Sequence, residues 1–399
     1  MRNEITLQFV RDHRFDDVRK LALQSFSSLD IDASWALTQI AGRQYAGNKI
    51  TSWSQSDAIV YPQHLSLEQC SSEQTACYKA GLLSGSSFVD LTGGFGVDFA
   101  FIAKQFQEAI YVEKQQALCE IAAVNFKALG LTSVKIIHSD AVEFLEKMSP
   151  VDAIFIDPGR RSDSGKKVFR MEDAEPDLLK IQDLLLEKAT NVLIKLSPML
   201  DISLALKQLK NVVEVHVVSL ENECKELLFL LKRDCTVAEP LITCVNLTKK
   251  NRQPGVSFLL SQERARQISY TSEVERYIYE PNTSLLKAGF YKGLTDLYPI
   301  RKFHPDSHLY TSDQLISDFP GRIFRTEACT TFNKQELKDF LSGMDRANLA
   351  VRNFPVSVAG LRKQLKIKEG GDIYIFATTL ANGRRTLVKA TVACCVAKN

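Results

Sequence analysis

Four acidic residues, Asp90, Glu113, Asp140 and Asp157, recur through the middle of this 399-residue chain, each closing a short apolar run. An acid in such a place can accept hydrogen bonds from sugar hydroxyls or from an amine. Asp90 is followed by Leu91-Thr92-Gly93-Gly94-Phe95-Gly96, where glycine lets the backbone turn sharply and approach a ligand with no Cβ in the way. A lone cluster of this kind is equally what a plain tight turn between strand and helix looks like. Glu113, about 20 residues further on, stands where an acid reaches both ribose hydroxyls, although a solvated strand-end carboxylate reads the same way. Asp140 repeats the pattern, and Ala141 beside it is small enough to leave room for a flat adenine. Asp157 opens Asp157-Pro158-Gly159-Arg160-Arg161, whose arginines could stack on a base, grip a phosphate or form a solvated pair. The chemistry in view is nucleotide binding beside a reaction centre.

Such a site needs elements that bring four strand ends to one edge. Apolar runs alternate with helical spacing in the middle of the chain, the sign of βαβ units and a parallel sheet. Strands are predicted over residues 87–91, 110–112, 134–138, 153–156, 192–195, 212–220 and 226–232, with helices over 97–106, 115–129, 141–148, 176–188 and 202–210. Ligands of open α/β sheets bind at the carboxyl ends of the strands, where all four acids fall. The link Glu221-Asn222-Glu223 is too short for a crossover helix, so the last two strands are predicted to be antiparallel neighbours. Lys195 and Asp201 bracket a loop on the same edge, where Lys195 could shape a substrate mouth and Asp201 could cap the next helix. Asn125 falls on an apolar helix face and reads best as a buried, satisfied amide. Residues 7–50 carry helical spacing. Beyond residue 235 the pattern changes to a small α+β arrangement, with Asn382-Gly383 as a hairpin turn.

The composition bounds the class. With 45% hydrophobic residues and no long apolar stretch, the chain is expected to be a cytoplasmic globular protein with no membrane span and no export signal. Nine scattered cysteines without a Cys-x-x-Cys pair suit a reducing compartment and show no zinc pattern. Net charge is only +3, yet residues 341–399 carry ten Lys and Arg against three acids, which points to a polyanion. His304 and His308 are separated by Pro305, with no carboxylate pattern to complete a metal site, so no metal is expected.

From about Leu65 to Lys232 these residues resemble the class I S-adenosylmethionine-dependent methyltransferases. The resemblance implies a Rossmann-like sheet of seven strands with the last antiparallel, an N-terminal helical segment, and S-adenosyl-L-methionine as cofactor. It implies that the loop with Asp90, Thr92, Gly94 and Gly96 wraps the methionine part, that Glu113 holds the ribose, and that Asp140 and Ala141 lie beside the adenine. Asp157-Pro158 stands where amino-group methyltransferases of nucleic acids carry an Asp/Asn-Pro-Pro-aromatic motif, implying catalytic roles for Asp157 and Pro158, while Arg160, Arg161 and Lys195 are expected by their types and places to contact the substrate. Gly159 and Arg160 depart from that motif, which puts base stacking by a neighbouring ring in doubt. Segments such as Tyr279-Glu280-Pro281-Asn282 and Phe319-Pro320-Gly321-Arg322 are similar to a bacterial family ending in ferredoxin-like and THUMP-like domains. The expected organisation is a helical segment 1–64, the methyltransferase domain 65–235, a strand and linker region 236–272, a ferredoxin-like unit 273–316 and a THUMP-like domain 317–399. The expected activity is methylation of a base nitrogen in tRNA or rRNA. The alternatives are an RNA-binding protein that has lost transfer, a methyltransferase of a protein or small molecule, and a nicotinamide-dependent oxidoreductase.

Overall fold

Strands covered on both faces read as unbroken apolar runs, and Val192-Leu193-Ile194 and Leu227-Leu228-Phe229 are all fully buried. The computed structural model describes residues 3–24, 30–160, 171–235, 237–248 and 255–393, apart from the side chains of Arg160 and Lys334. The chain divides into two units, Met1–Val215 with Glu226–Pro240, and His216–Lys225 with Leu241–Asn399.

The first unit opens with helices α1 (Glu4–Asp12), α2 (Val18–Ala22), α3 (Ala33–Lys49), α4 (Thr51–Ser54), α5 (His64–Gln69) and α6 (Glu73–Ala80). Asn3, Asp17, Asp32 and Ser72 accept hydrogen bonds from first-turn N–H groups of α1, α2, α3 and α6, which is why those helices start where they do. Val10, Leu21, Ala36 and Ile40 pack together between them. The alternating stretch follows as β1 (Ser87–Asp90), α7 (Val97–Ile102), β2 (Glu108–Glu113), α8 (Gln116–Ala128), β3 (Val134–His138), α9 (Ala141–Lys147) and β4 (Val151–Ile156). A two-residue ladder of β5 (Gly159–Arg160) with β6 (Ala174–Glu175) comes next. Then come α10 (Leu178–Lys188), β7 (Ala189–Leu196), α11 (Ile202–Gln208), β8 (Val212–Leu220) and β9 (Glu223–Lys232). Asp201 caps α11 through the Leu204 N–H, as expected.

The seven main strands of this stretch lie in the order β3-β2-β1-β4-β7-β9-β8. β1, β2, β3, β4 and β7 pair in parallel, whereas β9 runs antiparallel to β7. The predicted antiparallel last strand is therefore present, next to β8. The hairpin tip His216–Lys225 belongs to the second unit.

Asn125, fully buried on α8, closes a two-way clamp. Its Oδ1 accepts the Val60 N–H at 2.7 Å and its Nδ2 donates to the Val60 carbonyl at 2.9 Å, fixing the chain between α4 and α5. The Asn125→Ala variant leaves both Val60 groups without their partner and should cost about 1–3 kcal/mol, read as a lower urea midpoint. An unchanged midpoint would show the clamp to be idle.

The second unit continues with β10 (Leu241–Leu247), β11 (Val256–Phe258), α12 (Leu260–Ala265), β12 (Tyr277–Pro281), α13 (Thr283–Ala288), α14 (Leu294–Leu297), β13 (Arg301–His304) and β14 (Ser307–Ser312). It ends with β15 (Gly321–Thr330), α15 (Lys334–Leu341), β16 (Asn348–Arg352), α16 (Val358–Leu365), β17 (Ile373–Thr379) and β18 (Arg385–Val392). One sheet, in the order β13-β14-β12-β15-β18-β17-β16, runs through this region. Ile278, Phe303, Leu309, Phe324, Phe376 and Val388 belong to one of its cores. Gly383, at φ +79°, makes the predicted turn between β17 and β18. The β13–β14 hairpin was not expected, because β13 is only four residues long and Pro305 breaks the pattern after it; pairing with β12 through β14 creates it. No helix among the described residues is long and apolar enough to cross a membrane.

Candidate active site

The turn after β1 is shaped by its neighbours on β2 and α8. A Cβ on Gly93 would lie 2.1 Å from the Tyr111 ring, and one on Gly96 would lie 2.8 Å from Phe126. Gly94 and Gly96 adopt φ of +56° and +83°, the left-handed region that favours glycine. The Tyr111 hydroxyl donates to the Gly94 carbonyl, and Glu113 accepts the Gly94 N–H with one oxygen and the Gln115 N–H with the other, each at 2.8 Å. Thr92 joins this turn to the end of β4, since its Oγ1 accepts the Asp157 N–H at 2.7 Å. The glycine loop is thus tied to the ends of β2 and β4.

An open cleft runs along the carboxyl ends of the strands. Leu91 and Thr92 line it after β1, Glu113 at the end of β2 with Gln115 after it, Asp140 and Ala141 after β3, and Asp157 and Gly159 after β4. Glu175 and Pro176 also line it, with Glu175 joined to Lys114 at 2.8 Å. Asp140 also caps α9, accepting the Val142 and Glu143 N–H groups. The structure therefore gathers Thr92, Glu113, Asp140, Ala141 and Asp157 around one space. Gly94, Gly96 and Lys195 do not line that space, and Asp90 is buried away from it, joined to the lining through the Thr92 N–H. Arg160 contributes backbone to β5, and Arg161 lies outside the described residues.

Asp90 is 1% exposed and accepts the Thr92 N–H at 2.9 Å. Burial pushes its carboxyl well above the usual carboxylate range, and the neighbouring acids Asp98, Asp157 and Glu113 push the same way against that single hydrogen bond. S-adenosylmethionine carries an ammonium and a sulfonium, so the residues present fit it: acids beneath the glycine loop, an acid at the end of β2, and a small residue at Ala141.

Asp157 and Lys195 belong to a group of charges whose other members, Lys79, Asp98 and Glu226, were not singled out in the sequence. Lys79 of α6, fully buried, places Nζ 2.7 Å from both oxygens of Glu226 on β9 and 3.1 Å from Asp98 on α7. The Ser71 hydroxyl donates to Asp98 at 2.7 Å. Lys195 then approaches Asp98 at 3.7 Å and Asp157 at 2.5 Å. Lys195 is thus engaged by two carboxylates. Burial would raise the Asp98 carboxyl, but Lys79, Lys195 and Ser71 hold it below the usual range. Burial would likewise lower the Lys195 ammonium, and Asp157, Asp98 and Glu226 raise it instead. The sequence signal was a lone Glu226 heading the apolar run Leu227–Leu231. No group of side chains suited to a metal ion occurs among the described residues.

Comparisons with known proteins agree with this fold. A crystal structure from Porphyromonas gingivalis W83, of a protein inferred to be a methyltransferase, shares 32% identity and a TM-score of 0.86, with 97% of each chain covered. Residues 31–162 match the protein-L-isoaspartate(D-aspartate) O-methyltransferase family, residues 277–320 a ferredoxin-like domain and residues 321–391 a THUMP domain-like family. An rRNA methylase from Streptococcus thermophilus overlaps 40% of this chain and 94% of its own at 16% identity and a TM-score of 0.30. TrmK of M. capricolum, solved with S-adenosylhomocysteine, overlaps 40% of this chain and 68% of its own at 16% identity and a TM-score of 0.32. Overlaps that partial carry no argument. No curated protein gives a significant match. On the whole-length similarity, the chain belongs to the class I S-adenosylmethionine-dependent methyltransferases, in the bacterial family whose catalytic domain is followed by ferredoxin-like and THUMP-like domains.

Proposed function

We propose that this methyltransferase modifies a nitrogen of a base in structured RNA, a cytoplasmic tRNA or rRNA. The observation that supports this most is Asp157, at the edge of the cleft with Oδ2 held by Lys195 and Oδ1 without a partner among the described residues. When bound, the cofactor supplies a methyl group on a sulfonium, already a good leaving group. The protein's share is then mainly orientation. Asp157 and the Pro158 carbonyl accept the N–H bonds of the target amine and turn its lone pair towards the methyl group. The nitrogen gains the methyl group and gives up a proton to water. Asp90, Thr92, Gly94 and Gly96 frame the methionine part, Glu113 the ribose, and Asp140 with Ala141 the adenine. Arg160 and Arg161 grip the polyanionic substrate.

RNA as substrate draws on the exposed Lys363, Lys366, Lys368, Arg384 and Arg385 of the THUMP-like region, a basic set suited to phosphates. A protein carboxylate, which the match over residues 31–162 brings to mind, suits the cleft less well. Its negative charge would meet the open Asp157 oxygen, whereas an N–H donor is attracted there. The test compares nucleosides of total RNA by mass spectrometry from cells with and without the gene. Loss of one N-methylated nucleoside is expected. Unchanged RNA beside a lost protein methyl ester would overturn the reading.

A further inference from the structure

Replacing a buried ion pair with apolar residues is often neutral or stabilising, so such a pair is weak evidence for stability. Here five charged groups form one chain, Glu226–Lys79–Asp98–Lys195–Asp157, drawn from β9, α6, α7, β7 and the end of β4. Side-chain exposure rises along it, from 3% at Glu226 and 0% at Lys79 to 11% at Asp98, 13% at Lys195 and 36% at Asp157. The chain therefore starts in the core and surfaces at one carboxylate, in the cleft. Its inner end is anchored rigidly. Lys79 contacts both oxygens of Glu226 and also donates to Ser71, which in turn donates to Asp98.

We propose that Lys195 is a positioning residue for methyl transfer, pinning Oδ2 of Asp157 so that Oδ1 alone faces the target, with Asp98, Lys79 and Glu226 fixing the place of its ammonium. A lysine on a four-carbon stem is a mobile point charge, and two carboxylates on either side remove that freedom. Asp157 is then limited to orientations that keep its contact with Nζ. The proposal rests on Asp157 being the acceptor that orients the target. It adds that the acceptor's geometry is set from the core, by residues that touch neither cofactor nor substrate.

The test is a double-mutant cycle with the full-length protein, using RNA from cells lacking the gene and labelled S-adenosylmethionine. Lys195→Met should lower kcat about 10²-fold, the scale of a misplaced reacting group, while cofactor affinity measured by calorimetry stays within about threefold. Lys195→Arg, which keeps the charge, should recover most of that loss. Asp157→Ala with Lys195→Met should be no slower than Asp157→Ala alone, because residues acting as a unit are not additive. Additive losses, or Lys195→Met at full rate, would overturn the positioning role. An Asp157→Ala variant at full rate would overturn it too, by removing the acceptor itself. A crystal structure of Lys195→Met with S-adenosylhomocysteine gives an answer that needs no RNA. Asp157 should leave the orientation described here, and Asp157 unmoved would overturn the proposal whatever the substrate.

Discussion

Asp90→Asn is expected to weaken S-adenosylmethionine binding by at least about a hundredfold, about 3 kcal/mol, while making the ligand-free protein more stable. Both effects have one cause. Asp90 is a buried carboxyl among the acids Asp98, Asp157 and Glu113, with one hydrogen bond from the Thr92 N–H. Its folded pKa lies above the unfolded value, so between the two the folded protein holds a proton that the unfolded chain releases. Stability from this group is greatest below the ordinary carboxylate pKa and falls as pH rises towards the raised one. Asparagine keeps an acceptor for Thr92 without that penalty, so its melting temperature should exceed wild type by an amount that grows as pH rises above the ordinary carboxylate range. The cofactor's positive charges relieve the same penalty in the native protein, and asparagine offers them nothing in return. Calorimetric titration and thermal melts read the two effects separately. Wild-type affinity in Asp90→Asn would remove this acid from the cofactor site.

Asp157→Ala should do the reverse, sparing cofactor affinity and lowering the transfer rate by about 10²- to 10⁴-fold, the range for losing a positioned polar group at the reacting atoms. The variant leaves Lys195 paired with Asp98, so no buried charge is stranded and the fold should hold. The Thr92 hydroxyl still meets the backbone N–H of residue 157, because that bond does not involve the side chain. A loss confined to kcat would assign Asp157 to the transfer step, whereas a matching loss of cofactor binding would assign it to the cofactor.

Much of the first unit was legible in the residues. Strands such as Val134–His138 and the helix from Ala141 follow from local periodicity and from caps such as Asp140, which act within one turn. The short link at Glu221-Asn222-Glu223 forces β8 and β9 to be neighbours, and Asn125 on an apolar face had to find partners inside. The β13–β14 hairpin was hidden because its strands are short and gain stability only by pairing in the sheet.

What the sequence determined by itself was the run of strand-end acids behind a glycine turn, since strand periodicity and turn chemistry are local properties. The tertiary structure alone decided how those acids are used. Glu113 serves the glycine loop, Asp140 caps a helix, and Asp157 is held by a lysine that is itself held from the core. Lys79 and Glu226 stand 147 residues apart, and no local pattern announces that they meet. Their contact depends on β9 taking its place beside β7, a pairing set by burying apolar surface across the whole sheet.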